Sequence, residues 1–227
     1  MSRGPRPALC GRVHFAGAYT RNLSSGGGSL NERTADRDPI RQFQAWLRTA
    51  QSAGLPEPTA MTLATASYEG KPSARMVLLK GVDKRGFVFF TNYDSRKGQE
   101  IAANPRAALV FFWAPLGRQV RVTGRVSKVS AAESDAYFAS RPLGSRFGAS
   151  ISRQSAVIES RDVLERKFAK IDAEYPAGDP PRPKFWGGFR VRPDEIEFWQ
   201  GVENRLHDRL RYRRRRDGSW KVERLSP

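Results

Sequence analysis

Arg205-Leu206-His207-Asp208-Arg209 sets two guanidiniums and one of the chain's two imidazoles within five residues. In an extended backbone this spacing predicts Arg205, His207 and Arg209 on one face, with Leu206 and Asp208 on the other. Such a strip either lines a solvated edge strand, where charge protects against aggregation, or faces an anion. It follows an apolar, aromatic run through Ile196, Phe198 and Trp199 and leads into a basic run ending at Asp217-Gly218.

Three other segments carry anion-binding chemistry. Ser95-Arg96-Lys97-Gly98 reads as an N-cap followed by a helix, with both cations in the first turn. Cations oppose the macrodipole there, so free N–H groups and two charges together describe a phosphate site. Arg75-Met76-Val77-Leu78-Leu79-Lys80 reads as a buried strand with a cation at each end. The third segment is YFASRPLGS, Tyr137 to Ser145. Tyr137 and Arg141 are helical neighbours, Pro142 ends that helix, and Ser145 is expected in the following loop. Each segment alone also suits side chains reaching into water; together they point to two phosphate sites.

Trp113, Trp186, Trp199, Phe111 and Phe198 suit either a core or stacking on a planar ring. Gln119 and Gln154-Ser155 suit the polar edge of a heterocycle. Motifs for other chemistries are missing. There is no G-x-G-x-x-G, and Gly81 to Gly86 has P-loop glycine spacing but Phe87 where lysine is needed. With two histidines and one cysteine, a Ser-His-Asp triad is unconvincing and a metal site is not expected. Phosphate grips and ring-binding groups with few candidate acids or bases point to a cofactor that carries the chemistry.

Positioning these groups requires a framework, and 227 residues suffice for one domain. The net charge of +17 favours nucleic acid, an anionic surface or phosphorylated small molecules, but the basic residues are mostly scattered. Cys10 alone forms no internal disulfide and fits a reducing compartment, so the cytoplasm is expected. No segment reads as a membrane span or a secretory signal. Residues 1–36 read as a flexible arm, glycine-rich from Ser24 to Ser29, and residues 37–227 as a single domain. Asp38-Pro39 opens a helix to about Ala53. Strands are expected at Met61–Ala66, Ala74–Leu79, Phe87–Thr91, Ala107–Trp113 and Gln119–Val129, with a final β segment from Trp186. Helices are expected at Ser95–Asn104, Ala131–Ser140 and Arg161–Tyr175, and a hairpin turn at Asp217-Gly218. This is an α+β pattern built on a small antiparallel barrel.

From about Asp38 onward the chain resembles the flavin-dependent pyridoxine/pyridoxamine 5′-phosphate oxidases. The resemblance rests on DPIRQFQAWL, PSARMVLLKG, FFTNYDSRKG, RQVRVTGRV, YFASRPLGS, RQSAVI, FWGGFRV, IEFWQG, NRLHDR and ERLSP, in that order. It implies an FMN-binding split β-barrel with flanking helices, forming a homodimer through a C-terminal portion of about residues 184–227. FMN contacts carried over are Arg75, Met76, Val77, Leu78, Leu79, Lys80, Phe90, Thr91, Arg96, Lys97, Gln119, Gln154, Ser155, Trp199 and Arg209. The substrate's phosphate falls to Lys80, Tyr137, Arg141 and Ser145, and Arg205 and His207 face the reacting ring as the catalytic pair. The implied reaction, in vitamin B6 metabolism, oxidises pyridoxamine or pyridoxine 5′-phosphate to pyridoxal 5′-phosphate, with O2 as acceptor and H2O2 released. No nucleic acid or membrane partner is implied. In the arm, Tyr19 fits the family's R-x-x-Y element, but Ala16 stands at its arginine. The alternative is a flavin- or deazaflavin-dependent split-barrel reductase of another substrate, against which the RLHDR segment argues.

Overall fold

The structure is a computed structural model that describes residues 30–176 and 178–227. The Ser24–Ser29 stretch and Tyr19 with Ala16 lie outside the described residues. Of the expected arm, Leu30 to Asp36 are described and lie against the body. Leu30 is buried, Arg224 pairs with Glu32 at 2.9 Å, and the Tyr212 hydroxyl donates to the Asp36 carbonyl at 2.8 Å.

Helix α1 spans Pro39–Ser52. The Asp38 carboxylate accepts the Ile40 N–H at 2.9 Å, and Pro39 fills the first turn, where no N–H is needed. Ile40, Phe43, Trp46 and Ala50 recur at helical spacing and make its buried face.

Among the described residues, nine strands form one antiparallel sheet: β1 Ala60–Ala66, β2 Pro72–Leu78, β3 Gly81–Asp83, β4 Gly86–Asn92, β5 Arg106–Trp113, β6 Arg118–Lys128, β7 Trp186–Gln200, β8 Asp208–Arg214 and β9 Trp220–Arg224. The order is β2-β1-β5-β6-β7-β4-β3, with β8 and β9 added on the second half of β7. Alternation divides the residues between two faces. Met61, Leu63, Leu109, Phe111, Val120, Val122, Ile196, Phe198, Leu210 and Tyr212 join Phe43 and Trp46 in the core. On the opposite face the β2 side chains Met76 and Leu78 are exposed.

β7 is the spine. Its first half pairs with β4 and its second half with β8, while β6 runs along both. The ladder slips between Thr123 and Gly124, opposite Pro193. Gly124 is required at this bulge, because a Cβ would sit 2.0 Å from the Arg192 carbonyl oxygen.

Helices α2 Arg96–Ala103, α3 Ala131–Ala139, α4 Leu143–Ile151 and α5 Asp162–Glu174 complete the α+β fold. Among the described residues, no helix is long and apolar enough to cross a membrane. The Asp217-Gly218 turn joins β8 to β9 as expected, with Gly218 at φ +86°.

The structure corrects three local expectations. Pro142 opens α4, so Ser145 stands in that helix and not in a loop. Leu143, Phe147 and Ile151 give α4 an i, i+4 apolar stripe, enough to offset the poor helix propensity of Gly144 and Gly148. Arg141 lies two residues past the end of α3, although its N–H still donates to the Phe138 carbonyl at 3.2 Å. The RLHDR segment is not continuously extended. Asn204 and Arg205 adopt left-handed backbone angles, φ +55° and +60°, inside a short 3-10 turn, and β8 begins only at Asp208.

Candidate active site

A cleft of about 1040 Å³ opens between β2, β4, α2, α3 and α4, at the upper end of the size range for small-molecule sites. It collects most of the groups singled out by sequence. Arg75, Met76, Val77, Leu78 and Lys80 line it from β2 and the loop beyond, Phe90 and Thr91 from β4, and Arg96 and Lys97 from α2. Tyr137, Arg141, Ser145, Gln154 and Ser155 close the other side. Leu79 is only 4% exposed and its side chain belongs to the core.

One end of the cleft is a cationic cradle on the N-terminus of α2. The Ser95 hydroxyl caps that helix by accepting the Gly98 N–H at 3.4 Å. Lys97 is buried and donates to Gln154 Oε1 at 2.7 Å and to the Thr91 and Ser95 hydroxyls at 3.3 Å. Burial, and next the nearby Arg75 charge, depress the Lys97 ammonium, while Glu100 acts against both. The Arg96 N–H donates to the Ser155 hydroxyl at 3.3 Å, tying the 154–155 loop to the helix. Ser155 holds φ +74°, a strained backbone for a residue with a side chain.

Glu100 is the residue of this cradle that sequence reasoning missed. Its carboxylate accepts from the Ser73 hydroxyl at 2.6 Å, from the Thr65 hydroxyl, from Arg96 Nε at 2.9 Å and from Arg75 Nη2 at 3.4 Å. Burial alone would raise this carboxyl, but the hydrogen bonds from Ser73, Thr65 and Arg96 outweigh it and hold the group at about 2. The i, i+4 spacing of Arg96 and Glu100 was the available signal. Arg75, Arg96 and Lys97 set against Glu100 leave a net charge of two, which matches a phosphate monoester near neutral pH.

The other end is aromatic. Phe90 stacks on Tyr137 with centroids 3.9 Å apart, and Trp186 lies nearly parallel to both. The Arg141 guanidinium lies 4.7 Å from the Trp186 ring centre, and its Nη1 is buried without a hydrogen-bond partner. Burial lowers the pKa of this guanidinium. An orphaned buried donor on a cation fits an anionic group in this half of the cleft.

The remaining predicted groups are not in this cleft. Gln119, Trp199 and Arg209 form one cross-strand row on β6, β7 and β8. Arg209 Nε donates to the buried Glu197 carboxylate at 2.9 Å, and Nη1 donates to the Ser226 carbonyl at 2.8 Å. The His207 ring packs against Trp199 with centroids 4.7 Å apart. Its Nδ1 accepts the Val202 N–H at 3.1 Å, so the neutral ring carries its proton on Nε2. Arg205 is exposed on its left-handed turn. Trp186 and Trp199 mark opposite ends of β7, up to roughly 40 Å apart if the strand were straight. One chain therefore displays two separate groups of site residues.

A curled antiparallel sheet with flanking helices and a cation-lined cleft defines a split-barrel protein. Residues 47–175 match the family described as pyridoxamine 5′-phosphate oxidase, and residues 186–227 match the pyridoxine 5′-phosphate oxidase C-terminal dimerisation region. The chain belongs to the pyridoxamine 5′-phosphate oxidase family. The pyridoxine/pyridoxamine 5′-phosphate oxidase of Cupriavidus pinatubonensis is 60% identical over 200 residues, covering 88% of this chain and 94% of that protein. Among solved structures, PhzG from Burkholderia lata, in complex with tetrahydrophenazine-1-carboxylic acid, is 33% identical. It superimposes with a TM-score of 0.83 over 88% of this chain and 98% of its own. A pyridoxamine 5′-phosphate oxidase-related, FMN-binding protein from Nostoc punctiforme shares the fold at 18% identity, with a TM-score of 0.66 over 84% of this chain and 98% of its own.

Proposed function

We propose that the chain is a cytoplasmic FMN-dependent oxidase converting pyridoxamine 5′-phosphate and pyridoxine 5′-phosphate to pyridoxal 5′-phosphate. The observation that carries this reading is the pairing of two cationic grips in one cleft. A flavin nucleotide and a phosphorylated substrate each need one. Arg75, Arg96 and Lys97, balanced by Glu100, fit the FMN phosphate, and Gln154 and Ser155 lie within reach of the same ligand. Arg141, Tyr137, Ser145 and Lys80 fit the substrate's phosphate. Relatives about 60% identical over most of the chain support the same substrates.

The second group, Gln119, Trp199, Arg205, His207 and Arg209, supports a homodimer in which each active site draws on both copies. The matched dimerisation region and the exposed apolar side chains of Met76 and Leu78 support it as well. In this arrangement Arg205 and His207 of one protomer meet the cleft of its partner.

FMN, when bound, supplies the two-electron acceptor for the hydrogen leaving the substrate's C4′ and passes those electrons to O2, giving H2O2. The protein's part is orientation and charge. Gripping both phosphates fixes the substrate ring against the cofactor and removes most of the orientational freedom of the encounter. His207 is held in one tautomer by the Val202 N–H, which presents Nε2–H as a donor toward the ring. Arg205 would place positive charge beside the reacting pair, where it favours the transfer of negative charge from the substrate to the bound cofactor. The stacked Tyr137 and Phe90 rings exclude water from the substrate side.

Aerobic incubation of FMN-loaded protein with either substrate should yield pyridoxal 5′-phosphate and an equal amount of H2O2. Equal efficiency on pyridoxamine lacking its phosphate, or no turnover of either phosphorylated substrate, would overturn the reading.

A further inference from the structure

The two grips hold their cations differently. Arg75 and Arg96 spend donors on Glu100, Ser73, Thr65 and the Leu63 carbonyl. Among the described residues no carboxylate pairs with Arg141; its guanidinium lies over the face of Trp186, with the Phe138 ring centre 5.9 Å away. We propose that Trp186 is a positioning residue that holds Arg141 ready for the substrate's phosphate without occupying its hydrogen-bond donors. This rests on the functional reading above and names a residue that the reading does not require.

The argument is one of geometry. A guanidinium donates in its plane and meets an aromatic ring with its face, so stacking leaves the N–H fork free for a phosphate. A carboxylate partner would take two of those donors and cancel the charge that attracts the anion. Trp186 is itself fixed. It is 6% exposed, meets Phe138 edge-on at 5.2 Å and lies nearly parallel to Phe90 at 5.6 Å. It also begins β7, where its pairing with Asn92 on β4 sets its position. The platform is thus rigid, while Nη1 of the guanidinium above it is buried without a hydrogen-bond partner.

The test uses FMN-loaded, full-length protein with Trp186→Leu, which removes the π face, and Trp186→Phe, which keeps one. Four quantities are read: KM and kcat for pyridoxamine 5′-phosphate, Ki for inorganic phosphate as a competitor, and the FMN dissociation constant by flavin fluorescence. In Trp186→Leu, KM and phosphate Ki should rise together by about tenfold, equivalent to about 1.4 kcal/mol. Turnover should stay within about twofold and FMN affinity should be unchanged, because the cradle is untouched. Trp186→Phe should recover most of the loss. An unaltered phosphate Ki, or a parallel fall in FMN affinity, overturns the role of Trp186. Should Trp186→Leu not fold, Trp186→Met carries the same expectations with a longer, more adaptable side chain. If inorganic phosphate does not compete in the wild type, the functional reading fails instead.

Discussion

Replacing Glu100 with alanine tests whether a buried carboxylate organises the cofactor grip. Its side chain is 8% exposed and accepts from two hydroxyls and two guanidiniums. The carboxyl sits at about 2 against an ordinary 4.5, which at about 1.4 kcal/mol per pH unit corresponds to about 3 kcal/mol of stabilisation. That figure agrees with the roughly 3–5 kcal/mol lost when one partner of a buried ion pair is removed. For a domain of this size it predicts a Tm about 6–12 °C lower for E100A at pH 7. The sign with pH follows from a depressed folded-state value. The stabilisation is fully present above about 4.5 and is lost as pH falls through about 2, so less than half should remain at pH 3. Thermal scans of flavin-free wild type and E100A from pH 7 to pH 3 measure the gap without ligand linkage. A gap below about 2 °C at pH 7, or one of equal size at pH 7 and pH 3, would refute the reasoning.

Other expectations separate the parts of the site. Arg96→Ala should weaken FMN binding about ten- to a hundredfold, as expected for one charge-assisted contact, with little change in KM; flavin fluorescence titration measures it. Arg141→Ala should show the converse, a KM raised by a similar factor with FMN retained. Arg205→Ala should lower kcat by more than it lowers FMN affinity, measured by steady-state turnover alongside the same titration. Gly188→Ala would place a Cβ 2.6 Å from Val129 Cγ2 and 2.8 Å from Phe90 Cε1. That overpacking should destabilise by about 1–3 kcal/mol in thermal scans and raise KM by tilting Phe90 against Tyr137.

The architecture was largely legible because its signals are local. Asp38-Pro39, the alternating strands and Asp217-Gly218 each specify their own element through a cap, a period or a turn. Three short signals misled for physical reasons. Leu143–Ile151 carries two glycines, so its helix depends on Phe147 packing against Phe168, a tertiary contact. The left-handed angles at Asn204 and Arg205 follow from loop closure around His207, which no period announces. Arg141 falls beyond α3 because Pro142 cannot continue the helix. The cleft itself was legible only as separate anion-binding segments. That Thr91, Lys97 and Gln154 share one hydrogen-bond network, with Ser155 accepting the Arg96 N–H beside it, depends on tertiary contacts between residues far apart in sequence. Glu100 stayed hidden because a glutamate four residues after an arginine is ordinary on any exposed helix.

The separation of the two groups of site residues within one chain makes the composite site open to a direct test. Assayed with substrate well below KM, Arg141→Ala and Arg205→Ala homodimers carry one lesion in every site and should each keep only a small fraction of wild-type turnover. Mixed one to one after reversible dissociation, half the dimers are heterodimers with one intact site, so the account predicts about a quarter of wild-type turnover of pyridoxamine 5′-phosphate. Turnover no higher than the mean of the two separate variants would contradict it, placing Arg141 and Arg205 in the same chain's site.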